Sequence, residues 1–220
     1  MNQASQETVL KAWSHPLMAG LPTTGNQIEA LSHQLIHQAL QSCSIPEPVL
    51  PVVRRMVHAA GDVSLAETIR FHPDAVETGC RALRDKVPVI CDVRMLQAGI
   101  TRSLGRVVCK IRDKNVLRLA RASNSTRAAA AMHYLGEALH NAVVAVGNAP
   151  TAIWAILELA DTRGIRPALV VGTPVGFVGA AESKQALMES GLCYISNVGP
   201  RGGSPIAAAA VNALAILASE

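Results

Sequence analysis

Aromatic side chains are nearly missing from this sequence: two Phe, two Trp and two Tyr make up 3% of 220 residues. Half of the residues are nonetheless hydrophobic, so the core must come from Ala, Val, Leu and Ile, which suits helices packed closely on a sheet. The five cysteines, at 43, 80, 91, 109 and 193, include no Cys-x-x-Cys pair. Their odd number and scatter argue against a disulfide framework or a zinc site, and read as reduced, mostly buried thiols of a cytoplasmic protein. No Lys/Arg run exceeds Arg54-Arg55 and no DNA- or RNA-binding signature occurs. The net charge of +4 therefore favours anionic partners without implying nucleic acid. The start, "MNQASQETVLKAW", lacks the basic and apolar regions of a signal peptide. The longest apolar run, "AAAAVNALAILA", is too short to span a bilayer. A soluble, cytoplasmic protein with no membrane partner is the expectation.

What is present is an alternation of two patterns. Residues 1–25 hold Pro16, Pro22, Gly20 and Gly25 with weak periodicity, and read as an N-terminal extension. From 26 to about 42, Ile28, Leu31, Leu35 and Ala39 recur at helical spacing. A second helix follows Pro46 and Pro48 and ends at Gly61, and "FHPDAVETGCRALRDK" is a third. Then come five short apolar runs, "PVICDV", "RVVCKI", "AVVAVG", "ALVVG" and "CYISNV", continuous in the manner of strands covered on both faces. Helical patterns at 125–139, 152–160 and 181–189 lie between them. The fold predicted for residues 26–220 is a single α/β domain with three layers and a mostly parallel five-stranded sheet.

Three times near the C-terminus a strand runs through a Gly/Pro turn into a helix: "GNAPT", "GTPVGFVG" and "GPRGGSP". In such sheets ligands sit beyond the carboxyl ends of the strands, where helix N-termini favour anions. Asn148 in the first turn and Gly202 in the third are candidate substrate contacts. Standard nucleotide sites are excluded, because neither Gly-x-Gly-x-x-Gly nor Gly-Lys-Ser/Thr occurs. On the second helix, His58 lies roughly opposite the stripe Val49, Val52, Val53, Met56, Val57 and Ala60, and it shares a face with Arg54 and Arg55. Spacing leaves two readings open, a solvated basic face or a proton donor beside an anion-binding arginine. Arg127 falls in a first helical turn behind Ser123, Asn124 and Ser125, where a cation opposes the helix dipole unless an anion binds there. His33 and His37 read as a surface pair with no third metal ligand. Tyr134, Trp154 and Phe177 read as core or rim packing.

Several stretches carry a resemblance. "VRRMVHAAGD", "IRFHPDAVETGCRALRDKVPVICDVRMLQAGITR", "SNSTRAAAA", "VVAVGNAPTAIWAILEL", "VGTPVGFVGAAESKQAL" and "RGGSPIAAAAVNALA" resemble, in order over about residues 26–217, the motifs of the precorrin-8X methylmutase (precorrin isomerase) family. That resemblance implies an α/β/α sandwich and an isomerase of corrin-ring (cobalamin) biosynthesis. The implied reaction moves a methyl group from C-11 to C-12 of precorrin-8X or cobalt-precorrin-8, giving hydrogenobyrinic or cobyrinic acid. It implies no redox cofactor, nucleotide or resident metal, and a homodimer with the ligand site near the subunit interface. Carried over by motif, the catalytic histidine is His58, and Ser32 and Arg55 contact the ligand. The chain departs from the family in reading Ala30-Leu31-Ser32-His33 where members commonly have Glu-Arg-Ser-Phe. The substrate is a polycarboxylate tetrapyrrole, so Arg127 is expected to reach one of its carboxylates. The competing readings are a non-catalytic tetrapyrrole carrier and a nucleotide-dependent transferase.

Overall fold

The computed structural model describes residues 20, 22, 24–41 and 43–220. Most of the expected extension, residues 1–19, 21 and 23, lies outside the described residues, as does Ser42 at the expected end of the first helix. Six strands form one sheet: β1 (Ile69–Phe71), β2 (Val89–Cys91), β3 (Val107–Cys109), β4 (Val143–Val146), β5 (Leu169–Gly172) and β6 (Tyr194–Asn197). Their spatial order is β1-β6-β5-β4-β2-β3. All neighbours are parallel except the edge pair β1–β6. The sixth strand is β1, which the sequence reading missed. Three residues pairing Ile69 with Asn197 and Phe71 with Ile195 are too few to display a period.

The other elements are helices: α1 (Gly25–Leu40), α2 (Leu50–Ala60), α3 (Ala75–Arg84), α4 (Arg94–Gly99), α5 (Lys114–Ala122), α6 (Arg127–Leu135), α7 (Pro150–Arg163), α8 (Ala180–Glu189) and α9 (Ser204–Ser219). Strand side chains alternate between two cores. Val89, Cys91, Val143, Ala145, Leu169, Val171 and Ile195 face α2, α3, α4 and α9. Ile90, Val144, Val146 and Val170 face α6, α7 and α8. Both faces of the sheet are thus covered, which is why these strands read as unbroken apolar runs. The alanines of α9 (207, 208, 210, 213 and 215) are buried, and their small volume lets α9 sit among α2, α3 and α4. On α2, Val52, Val53, Met56 and Val57 are buried. Burying each side chain contributes about 1.5–3 kcal/mol, more than the roughly 0.7 kcal/mol that a valine loses in helix propensity.

Other local expectations need correction. The N-cap of α6 is Thr126, whose hydroxyl accepts from Ala129 N–H, and not the three preceding residues. Tyr134, Trp154 and Phe177 are exposed, Phe177 at 98%. A core already filled by aliphatic side chains has no place for them. The first helix forms, but Ile28, Leu31 and Leu35 along it are exposed, because α1 packs mainly on α2 and the turn at 63–68 and joins the core through Leu40.

Candidate active site

The buried stripe of α2 fixes the rest of that helix. With Val53, Met56 and Val57 turned inward, Arg55, His58 and Ala59 line a cavity of about 370 Å³ with Gly99, Pro205, Ala208, Ala209 and Asn212. Glycine and alanines make half of its wall. A second cavity of about 310 Å³ shares Ala59 and Pro205 with the first and continues past Asp62, Val175, Arg201 and Gly202. Together they form a trough across the start of α9. Asn212 braces one end: its Oδ1 accepts from Thr101 and Arg102 N–H, each at 3.0 Å, and its Nδ2 donates to Gly99 O at 2.8 Å.

Helix α1 closes over the basic face of α2, so that face is not simply solvated. Arg54, Arg55 and His58 are half-buried. Arg55 Nη1 donates to Glu29 Oε1 at 3.4 Å. His33, read from sequence as a surface residue, instead lies against His58 with ring centroids 5.7 Å apart and planes at 86°. Burial, and next the Arg55 guanidinium, hold the His33 imidazole below the usual histidine range. Ser32 stands beside His33, and its hydroxyl donates to Ile28 O at 2.8 Å within its own helix.

The three glycine turns meet at the carboxyl ends of β4, β5 and β6. A Cβ on Gly147 would lie 2.6 Å from Ser204 Cα, and one on Gly202 only 2.2 Å from Thr173 O, so the turns touch backbone to backbone. Gly203 N–H bonds Thr173 O at 2.7 Å and Gly176 N–H bonds Pro200 O at 3.1 Å. The first turn does not offer its N–H groups to a ligand, as the sequence suggested. They are taken by Asp92, a fully buried residue. Its carboxylate accepts from Gly147 at 3.2 Å and from Asn148 and Ala149 at 2.8 Å each. Burial pushes the Asp92 carboxyl up, and these hydrogen bonds pull the other way.

The third turn is held from behind by a cation. Lys184, also fully buried, donates to Asn197 Oδ1 at 3.2 Å and to Arg201 O at 2.5 Å. Asn197 Nδ2 donates to the same carbonyl at 2.8 Å. Burial lowers the ammonium pKa from 10.5 to about 8. The Arg201 side chain turns outward onto Asp62 and the Ser64 hydroxyl, the latter at 2.9 Å.

Of the residues singled out from sequence, His58 and Arg55 share one cavity, Gly202 lines the adjoining one, and Ser32 lies on the helix above. Asn148 and Arg127 line neither. The Asn148 side chain is exposed, as is Arg127 at the start of α6 in the opposite layer. The two starts are joined through Thr126 and Thr151, whose hydroxyls lie 2.6 Å apart. Asp92, Lys184 and Asn212 were missed. Each had a signal, a charged or amide residue inside an apolar strand or an alanine-rich stretch, where it needs partners.

The precorrin-8X methylmutase family model matches residues 27–217. The chain belongs to this family. It is 41% identical over 197 residues to the precorrin-8X methylmutase of Pseudomonas aeruginosa, a match covering 87% of this chain and 95% of that one. It is 37% identical to the cobalt-precorrin-8 methylmutase of Priestia megaterium, with 88% of each chain covered. Its fold superposes on the crystal structure of a precorrin-8X methyl mutase from Thermus thermophilus with a TM-score of 0.81 and 40% identity, over 89% of this chain and 97% of the other. The chain is accordingly an isomerase of cobalamin biosynthesis that shifts a methyl group within its substrate.

Proposed function

We propose that the trough over α2 and α9 receives precorrin-8X or its cobalt form, and that His58 lends the proton that eases migration of the methyl group from C-11 to C-12. The observation that carries this reading is the shared cavity of His58 and Arg55 over a floor of Ala59, Gly99, Ala208 and Ala209. A flat macrocycle needs such a floor of small side chains, and a single basic ring edge above it supplies the acid. Protonating the macrocycle withdraws electrons from its conjugated system and lowers the barrier to a suprafacial shift. The proton returns to His58 as product forms, so no co-reactant is consumed. Arg55 is placed to bind a peripheral carboxylate, which exchanges with Glu29. Ser32 and Gly202 are further substrate contacts of this reading, and Asn148 and Arg127, outside both cavities, meet only substrate groups that extend beyond the trough.

The same reading makes the protein a cytoplasmic homodimer. Exposed Ile28, Leu31 and Leu35 on α1, with Phe177 and Val178 beyond β5, supply apolar surface for a second copy. Among the described residues no helix is long and apolar enough to cross a membrane.

The test is anaerobic turnover of precorrin-8X by the purified protein, followed by its visible spectrum and product mass. Conversion at unchanged mass is expected, with His58→Ala binding substrate but losing at least about a hundredfold in rate. Binding without conversion by the unaltered protein would make it a carrier, and wild-type turnover by His58→Ala would remove His58 from the acid role.

A further inference from the structure

The His33 ring on α1 meets the His58 ring on α2 edge to face, with centroids 5.7 Å apart. Its Nε2 is shut off from solvent with no hydrogen-bond partner among the described residues. Glu29 Oε1, at 3.8 Å, is too far to accept from it. The groups that face His33 are Glu29 on its own helix and Arg54, Arg55 and His58 on α2. Two guanidiniums and a second imidazole therefore oppose a proton on His33, and burial acts in the same direction. His58 itself occupies the last turn of α2, one turn beyond Arg54 and Arg55.

From this arrangement we infer that His33 is a positioning residue for the methyl shift. Packed edge to face on His58, it holds that imidazole in place at the cavity, and the ionisation of the two rings is coupled. The inference rests on the reading of His58 as proton donor. No bond to His33 forms or breaks: His58 lends its proton to the macrocycle and recovers it. Phenylalanine would fill the same space without titrating, so replacing His33 separates the ring's bulk from its ionisation.

The experiment compares kcat and KM against pH with precorrin-8X for the wild type, His33→Phe, His33→Gln and His58→Ala. Titration of the imidazole carbon-bound protons by NMR on the wild-type protein accompanies it. Interacting sites titrate in linked steps. The wild-type kcat profile is therefore expected to spread beyond one ionisation and to narrow to a single step in both His33 variants, with KM unchanged within about twofold. The NMR curves of His33 and His58 should each show two linked steps. Superimposable kcat profiles for wild type and both variants overturn the inference. So do independent one-step NMR curves, which decide the matter even if a variant fails to fold. Full turnover by His58→Ala is a separate result: it overturns the acid reading beneath the inference.

Discussion

The turns after β4 and β6 have the same sequence shape, and the protein fixes them with opposite charges. Behind the first, the Asp92 carboxylate gathers three backbone N–H groups and occupies the place where an external anion would bind. Behind the third, the Lys184 ammonium grips a carbonyl, and Gly202 beyond it lines the trough. A helix N-terminus is a binding site only if the protein leaves its donors free. The first turn has become structure, and the third has become a wall of the trough.

Four measurements break or sharpen that contrast. Asp92→Ala leaves three N–H groups without their acceptor, and urea unfolding should show a loss of about 3–5 kcal/mol. A loss below about 1 kcal/mol would mean that water replaces the carboxylate. Gly202→Ala forces a Cβ against Thr173 O, where 2.2 Å is available. It should destabilise by about 1–3 kcal/mol and weaken product binding, read by spectroscopic titration. Unchanged affinity would detach the third turn from the ligand.

Lys184 supplies a pH signature. Folded, it loses its proton from about pH 8, whereas its ordinary value is 10.5. Between those values the unfolded chain binds more protons, so this group makes stability rise with pH, and its contribution is least favourable below about 8. Chemical denaturation across that window should show the rise in the wild type and a flatter curve in Lys184→Met. Equal slopes would mean that Lys184 titrates normally. The smallest effect is expected at Arg127, which is exposed. Arg127→Ala should weaken product binding about two- to fivefold with the fold intact, the scale of an exposed charge contact. Unchanged affinity would remove it from the site.

The mostly parallel sheet was legible because strands covered on both faces must be apolar throughout. Its antiparallel edge was not, since three residues carry no period. The basic face of α2 that carries His58 and Arg55 was legible from helical spacing, but the cavity those residues line was not. Their companion His33 was misread as surface because helical spacing reports the polar side of α1 and says nothing of what packs against it. Leu31 and Leu35 correctly marked a helix, but their stripe is exposed, which spacing alone does not report.

The sequence by itself determined the layers, the five parallel strands, the three turns and the family, because each is written in local composition and spacing. Only the tertiary structure decided which turn is closed by Asp92, which is braced by Lys184, and which imidazole faces His58. Those partners lie apart along the chain, 55 residues between Asp92 and Gly147, and only the folded chain brings them into contact.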